Sequence, residues 1–497
     1  MKSSFFSISL QDLRVSMRDL AAILQILSVV MLLPLFATLR YMGGDTVLEK
    51  LDLLSTFIVP SALLYLLYIS LKRYSGAGST KTKHIMVTFA LTWVVIAIVG
   101  SIPFMHRGVL GPLDSFFESM SGWTTTGYSM IENIEGTDRD LLFYRSIMQG
   151  VGGLGVISLG LMVLLQGGKI GVGYSDVGVQ RIKPGIKQTI KEAWKIYGLY
   201  ILTGCVALYI AGMTPFDSIN FSITAVATGG FTTHANAGYY ESSLIEGILM
   251  CLMVLGMTSF IIHFRMFSGD TKAMLGTEFR WTFLIIFLAT AAMSGSLMIL
   301  PAGAVPGVDN TNFQQVIWKS GFHVISGMST CGYNTIDFGQ WPDFAKTLMV
   351  GLMYIGGMAS STAGGIRVIR FVIIAKAIHY SLKKLILPKS ALVVVKLDGK
   401  ALQEDIMTVV GYSAVYLSVC LGLGMILMLL GYDSVDSILT IMSAMGNDGL
   451  GVLSGEAWYG MHYIGKCTII VAMWVGRVEI YASLLLLRSL MENTRLL

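Results

Sequence analysis

The sequence carries little charge for its length. Only 13% of its 497 residues are charged and 54% are apolar, and its mean hydropathy is +0.69. A soluble domain usually carries about 25% charge. A soluble chain of this size has no way to bury so much apolar surface, so most of it is solvated by lipid. This excludes a cytosolic enzyme, a disordered scaffold and a secreted disulfide protein.

The chain also lacks the usual disulfide, nucleotide-binding and metal-binding motifs of soluble proteins. No CxxC pair occurs, so we expect the five cysteines to be reduced, buried small residues. They are Cys205, Cys251, Cys331, Cys420 and Cys467. There is no Walker motif, no metal-ligand spacing such as HExxH and no cleavable signal peptide. A GxGxxG string at 150–155 lies inside an apolar segment and indicates close helix packing rather than dinucleotide binding.

Ten apolar segments are long enough to cross a membrane. They lie near 20–40, 52–72, 84–104, 141–166, 196–213, 244–267, 280–300, 344–375, 406–430 and 460–487. Lysine and arginine are concentrated after the second, fourth, sixth and eighth segments, which places both termini in the cytoplasm. We therefore expect a multi-pass protein of the cytoplasmic (inner) membrane. The basic linkers suit anionic lipid headgroups, so no nucleic-acid partner is expected.

The opposite linkers contain a fourfold internal repeat. It is marked by Gly127, Gly230, Gly332 and Gly449, which are spaced 103, 102 and 117 residues apart. Thirteen residues before each glycine stands Asp or Lys, twelve before stands Ser, and six before stands Ser or Thr. Four unrelated glycine turns would not share this register, and repeats are to be sought before motifs.

Each unit indicates a short helix followed by an extended loop. Asp-Ser at 114–115, 217–218 and 436–437 predicts a helix start, and the helix runs about ten residues toward the membrane centre. Non-helical backbone at that depth must be buried or line a water-filled path. Four such loops around one axis would present rings of carbonyl oxygens, as in K⁺ filters. An aromatic residue after the glycine in three units is expected to pack behind the loop.

The predicted K⁺ filter comprises three residues from each loop. They are Thr125, Thr126, Gly127, Thr228, Gly229, Gly230, Thr330, Cys331, Gly332, Asn447, Asp448 and Gly449. The fold class expected is an all-α polytopic membrane protein. Four pseudo-repeated helix–pore loop–helix units surround one ion pore, and an N-terminal pair of transmembrane helices precedes them.

These strings, with the glycine-rich run at 355–370 and Val475-Gly-Arg477-Val-Glu479, resemble the Trk/Ktr/HKT superfamily of potassium transporters. The length and the N-terminal helix pair are most similar to its bacterial TrkH-like branch. The resemblance implies that Gly127 in the first loop favours K⁺, because plant relatives that conduct Na⁺ have Ser there. Asp448 departs from the uncharged residue usual in this branch. It either raises cation occupancy or, as we favour, turns away and bonds to backbone.

The resemblance further implies a gate below the filter. Its predicted residues are Gly356, Gly357, Ser360, Ser361, Thr362, Gly364, Gly365 and Arg477. The glycine-rich segment would be a non-helical loop that blocks the pore; from the residues alone, a tight helix crossing is the alternative. Arg477 would project into the pore as a barrier to cations, whereas a structural ion pair with another helix is the alternative.

Other polar residues in apolar segments are expected to brace the pore loops. Arg145 and Gln149 stand four residues apart near one end of the fourth segment. We expect them to hold a pore loop, with Asp114 or Glu118 as the carboxylate partner. Lys466 is a similar candidate.

The function predicted is potassium uptake driven by the membrane potential, gated by a separate cytosolic regulator. By resemblance this regulator is a TrkA-like nucleotide-binding ring, and the chain forms a homodimer. K⁺ is the transported ion, and no organic cofactor is expected in this chain. The alternative within the same fold is a Na⁺-conducting or Na⁺/H⁺-coupled symporter, suggested by Asp448. A membrane enzyme would need a nucleophile–base pair or a metal cluster at membrane depth, and the sequence offers neither.

The repeats predict five parts of the chain. The N-terminal two-helix domain covers 1–83, and the repeats cover 84–168, 169–268, 269–390 and 391–497. Their pore loops are 114–129, 217–232, 319–334 and 436–451, and the gate loop is 356–365.

Overall fold

The computed structural model describes residues 10–41, 46–76, 78–165, 186–301, 303–386, 396–397, 400–401, 406–453 and 455–494. These ranges are helical apart from loops, turns and one antiparallel pair of two-residue strands, Lys396–Leu397 with Lys400–Ala401. The fold is therefore all-α, as the sequence predicts.

Two helical segments form the N-terminal pair. Helix α1 (Leu10–Val30) turns at 31–34 into α2 (Leu35–Tyr41), and α3 is Val47–Arg73. Ser61 Oγ donates to the carbonyl oxygen of Ser28 at 2.6 Å, joining α3 to α1. Both pack with the first repeat around the buried side chains of Leu24, Phe57 and Leu64.

Four units of helix, pore helix, loop and helix follow. The first helices of the units are α4 (Thr82–Gly100) with α5 (Ile102–His106), α8 (Ile186–Ile210), α12 (Thr277–Met298) and α16 (Ile406–Leu429). The pore helices are α6 (Pro112–Trp123), α9 (Pro215–Val226), α13 (Phe313–Ser329) and α17 (Ser434–Gly446). The helices after the loops are α7 (Arg139–Leu165), α10 (Ser243–Met257) with α11 (Phe260–Phe267), α14 (Asp343–Ile355) with α15 (Val368–Ile386), and α19 (Tyr463–Val478) with α20 (Ile480–Thr494). A short helix, α18 (Glu456–Tyr459), precedes α19.

Six helices of the described ranges are long and apolar enough to cross a membrane, and two bent pairs bring the number to eight. The predicted spans at 141–166 and 344–375 correspond to α7 and to α14 with α15, and they stay predictions. Two other predicted spans are bent pairs of helices. The span at 244–267 bends by 99° between α10 and α11, and that at 460–487 bends by 106° between α19 and α20.

The predicted starts of three pore helices lie three residues after the observed N-caps. Asp114 and Asp217 lie at the third helical position, after Gly111 and Thr214 as N-caps. In α17 the N-cap is Asp433, so Asp436 likewise lies inside the first turn. The carboxylates still suit the positive end of the helix, but another residue caps the free N–H groups. We call the face at which the pore helices begin the outer face.

Ion pairs occur at three of the four junctions between neighbouring repeats at this outer face. Lys466 of α19 contacts Asp114 of α6 at 2.6 Å, and Lys346 of α14 contacts Asp436 of α17 at 2.9 Å. In each pair the lysine is the fourth residue of its helix and the aspartate is the third of a pore helix. We call such a contact between a pore helix and the preceding unit a seam.

The third seam has its charges exchanged. The fourth seam is unpaired, because its pore helix has no ion pair with the preceding repeat among the described residues; in the loop after that helix, His234 lies 3.6 Å from Glu135. Lys319 of α13 contacts Glu246, the fourth residue of α10, at 2.7 Å. In α7 the fourth residue is Leu142, so Asp217 of α9 receives no lysine there. The outer face is therefore fourfold in geometry but not in charge, because two seams have a Lys–Asp pair, one has the exchanged pair and one is unpaired.

Candidate functional site

The four pore loops share one backbone conformation. Each pore helix is followed within two residues by a residue in the left-handed region: Thr125, Thr228, Thr330 and Asn447 have φ of 54, 50, 56 and 54°. Two positions later the glycines Gly127, Gly230, Gly332 and Gly449 have φ of 95, 80, 77 and 81°. Such angles are strained for most residues and easy for glycine. The positions that the sequence repeat aligns therefore have the same backbone conformation in all four loops.

The loops close into a ring through their glycines. A Cβ built on Gly127 would lie 2.3 Å from the carbonyl oxygen of Gly229, and one on Gly230 would lie 2.0 Å from that of Cys331. Gly332 approaches Asp448 in the same way, at 1.9 Å, and Gly449 approaches Thr126 at 2.0 Å.

Each of these contacts links one loop to the next in cyclic order, and the last returns to the first. The four carbonyl oxygens that precede the glycines therefore form one layer. A side chain at any of the glycines would displace that layer.

The aromatic residues after the glycines pack behind the ring, which confirms that prediction. The Tyr128 hydroxyl donates to the carbonyl oxygens of Thr440 and Leu450, both at 3.2 Å. The Tyr333 hydroxyl donates to that of Phe221 at 3.4 Å. Each tyrosine thereby ties its loop to the pore helix or loop of another repeat.

Arg145 and Gln149 brace the loops from α7, as predicted. Arg145 Nε donates to Glu118 Oε1 at 2.8 Å, and both side chains are almost fully buried. Gln149 Nε2 donates to the carbonyl oxygen of Gly229, and its Oε1 accepts from the Phe231 N–H at 3.1 Å. Asp114 pairs with Lys466 instead, so the two carboxylates of the first pore helix have different partners.

Asp448 turns its side chain away from the layer formed by its own carbonyl oxygen. Its Oδ1 accepts from the Leu450 N–H at 3.2 Å. Its Oδ2 is buried with no hydrogen bond to the described residues. The predicted orientation toward backbone is thus the one observed.

At the unpaired seam, neighbouring hydroxyl groups surround the Asp217 carboxylate. Thr214 Oγ1 and Thr233 Oγ1 each donate to it at 2.6 Å, the Tyr240 hydroxyl donates at 2.5 Å, and His234 Nε2 lies 3.3 Å from Oδ2. Burial alone would raise the pKa of this carboxyl, yet these hydrogen bonds and His234 hold the pKa below its ordinary value.

A non-helical segment separates α14 from α15 directly below the ring. Gly356 and Gly365, at φ of 69 and 73°, mark its two ends, and Ser360 between them has φ of 56°. The Gly364 N–H donates to Thr330 Oγ1 at 2.7 Å, and Thr362 Oγ1 donates to the carbonyl oxygen of Val226 at 3.0 Å. The segment is a loop rather than a tight helix crossing, and it touches the filter loops from below.

Arg477 holds this loop from the fourth repeat. Its Nη1 donates to the carbonyl oxygen of Thr362, and its Nη2 donates to that of Gly152 in α7, both at 3.2 Å. No ion pair of Arg477 occurs within the described ranges, where Glu479 pairs with Arg370 at 3.2 Å instead. The structural ion pair considered for Arg477 is therefore not observed. A buried guanidinium lies next to the loop.

Within the described part of the chain, no three His, Cys, Asp or Glu side chains are grouped as a metal site. The ring of backbone carbonyls is the feature suited to a dehydrated monovalent cation.

The profile of the family described as "TrkH: Cation transport protein" matches residues 54–496. The chain belongs to the TrkH family. It is therefore a multi-pass cation transporter and not an enzyme.

Members of the TrkH family resemble this chain over nearly its whole length. It is 31% identical to an uncharacterized cation transporter of Methanocaldococcus jannaschii, over 97% of each chain. It is 30% identical to the Trk system potassium uptake protein TrkH of Halomonas elongata, over 96% of this chain and 98% of that one. The crystal structure of the potassium transporter TrkH from Vibrio parahaemolyticus matches with a TM-score of 0.83 at 29% identity, covering 96% of this chain and 98% of that one.

Sequence reasoning missed the contacts that hold the segment at 356–365 to α11 and α12. Glu278 Oε1 accepts from the Ala359 N–H at 2.7 Å, and the Phe260 N–H donates to the Ser360 carbonyl oxygen at 3.1 Å. The only sequence signal was an acidic residue in the first turn of α12, which ordinarily serves the helix end alone.

Proposed function

We propose that this chain mediates potassium uptake across the cytoplasmic membrane through a carbonyl-lined filter. The ring in which each filter glycine abuts the carbonyl oxygen of the next loop carries this proposal. Such a ring replaces the hydration shell of K⁺ with backbone oxygens. Inward movement of each ion yields about 2.3 kcal/mol per 100 mV of membrane potential, so uptake needs no chemical step.

In this proposal the loop at 356–365 is the gate. It contacts Thr330 from below, and Arg477 supports it with a positive charge that disfavours cations. Opening requires the loop and the guanidinium to leave the axis. The division into five parts, with four repeats around one pore, belongs to the same proposal.

The proposal includes a separate cytosolic nucleotide-binding ring, TrkA-like, as the regulator and a homodimer as the assembly. The TrkH relatives at about 30% identity support it. The lysine and arginine distribution supports termini on the cytoplasmic side, so the regulator would meet the basic linkers.

The deciding experiment is cation flux into liposomes that hold the purified chain, with K⁺, Rb⁺ and Na⁺ compared. We expect K⁺ and Rb⁺ flux well above Na⁺ flux, and loss of this preference in Gly127→Ser. Gly411→Ser is the matched control, because nothing lies within 4 Å of a Cβ built there. Equal fluxes of Na⁺ and K⁺ in the wild-type chain would contradict the proposal.

The same assay separates the alternative, a Na⁺-conducting or Na⁺/H⁺-coupled symporter. The buried, unbonded Asp448 Oδ2 is the observation that favours testing it. Na⁺ flux that reverts to a K⁺ preference in Asp448→Asn would establish this alternative.

A further inference from the structure

The gate loop takes most of its backbone hydrogen bonds from the second repeat. The Met358 N–H donates to the Met257 carbonyl oxygen at 2.9 Å, and the Thr362 N–H donates to that of Gly256 at 3.2 Å. These carbonyls belong to the end of α10, where that span breaks. The break in the second repeat and the loop in the third therefore satisfy each other's free backbone groups.

Beyond this break, α11, a turn and the start of α12 form one hairpin, which we call the inner hairpin (260–278). Arg265 closes it with two bonds to Asp270 Oδ2, at 2.9 and 2.6 Å. A 3-10 turn, Thr271–Leu275, leads into α12. The hairpin lies at the end of α12 opposite the outer face.

The two ends of the inner hairpin hold consecutive residues of the gate loop. At its first residue the Phe260 N–H bonds to Ser360, and near its last residue Glu278 accepts from Ala359. Ala359 and Ser360 are both buried, and Ser360 is in the left-handed region. A left-handed non-glycine residue persists only where its surroundings hold it.

We propose that Glu278 is a positioning residue of the gate, through which the inner hairpin holds the gate loop in the closed conformation. The inference rests on the proposed function only in naming the loop a gate. A hydrogen bond to an ionised carboxylate is shorter and stronger than one between neutral groups. Displacement of the hairpin moves Glu278 and Phe260 together, and with them the centre of the loop.

The test has two readouts on the full chain in liposomes without a cytosolic partner. The first is Rb⁺ and Na⁺ flux. The second is the labelling rate of Ser360→Cys by a charged, membrane-impermeant methanethiosulfonate, corrected for the same chain without that cysteine. We expect Glu278→Ala to raise both the Rb⁺ flux and the labelling rate by about tenfold, with the Rb⁺/Na⁺ ratio unchanged. Glu278→Gln, which keeps an acceptor oxygen, should fall between the wild-type chain and Glu278→Ala.

Glu192→Gln is the matched control, since Glu192 lies in the early turns of α8 and pairs with Lys195. It should leave labelling as in the wild-type chain. Unchanged labelling in Glu278→Ala overturns the inference, including the case in which only thermal stability falls. Faster labelling in a chain that passes no cation would keep the role of Glu278 and remove the proposed function.

Discussion

The four repeats are alike in their outer halves and unlike in their inner halves. In the outer half all four repeats adopt the same loop, with left-handed residues at the same two positions. In the inner half the helices after the four loops take three different forms. The first is continuous as α7, the second and fourth bend by 99° and 106°, and the third is interrupted by the gate loop.

In the function we propose, this difference separates ion coordination from closure of the pore. Coordination of a single ion by a ring needs equivalent donors at equal distances, so every repeat must contribute in the same way. Closing a pore needs one obstacle and something to hold it. The third repeat supplies the loop, the fourth supplies Arg477, and the second supplies the backbone and hairpin that hold the loop.

The largest expected effect breaks the outer symmetry. Alanine at any one of Gly127, Gly230, Gly332 or Gly449 should lower the K⁺/Na⁺ flux ratio by about a hundredfold, because each Cβ displaces a neighbouring carbonyl oxygen. The four variants should be equivalent within error. A single tolerant position would show that the ring is not fourfold in function. Gly422→Ala, with open space around its Cβ, is the control.

The next effect tests the asymmetric half. Arg477→Ala removes the charge and the bond to Thr362, so cation flux in liposomes should rise about tenfold, or about 1.4 kcal/mol, at unchanged selectivity. Arg477→Lys keeps the charge and loses the paired donors, and it should give a smaller rise. A fall in selectivity in Arg477→Ala would place this residue in the filter instead.

A third prediction concerns the exchanged seam. Lys319→Glu and Glu246→Lys should each lower stability by about 1–2 kcal/mol, because each leaves two like charges together at a partly buried site. The double variant should recover most of the loss, as measured by thermal unfolding in detergent. Recovery of less than a quarter of the lost stability would mean that packing, rather than charge, holds the two repeats together at this seam.

The smallest effect is expected at the unpaired seam. Because the folded pKa of Asp217 lies below its ordinary value, its ionised form stabilises the fold above about pH 4, and this is lost as the pH falls through the lower value. Asp217→Asn should therefore lower the unfolding midpoint by about 1–2 °C at pH 7, and the difference should disappear as the pH falls through the lowered pKa of the carboxyl. Asp138→Asn, at an exposed carboxylate, should leave the unfolding midpoint unchanged at neutral and at acid pH. A difference that persists in acid would contradict this account.

The sequence predicts the outer half well because four loops of the same conformation need the same residue types at the same positions. Four loops with one conformation repeat the same residue types at fixed offsets, so the left-handed glycines and the tyrosines behind them were found. Buried polar residues in apolar segments were informative as well, since Arg145 and Gln149 had to find partners in protein.

The inner half could not be predicted in the same way. The bends at Thr258 and Glu479 contain neither proline nor glycine, the residues that usually mark a break. The first depends on bonds to Met358 and Thr362, about a hundred residues later in the chain. The ion pair at the exchanged seam could not be predicted either. Lys319 was evident as the exception among the aspartates, but its partner Glu246 lies in another repeat.

The seam between α6 and α19 has a consequence for biosynthesis. Asp114 and Lys466 are 352 residues apart, and Tyr128 reaches Leu450 across 322 residues. The first repeat therefore cannot make these two contacts until the fourth repeat has been made. Before the fourth repeat is translated, at most three of the four loops exist and the ring cannot close. The contacts that close the ring therefore form only after nearly the whole chain has been made.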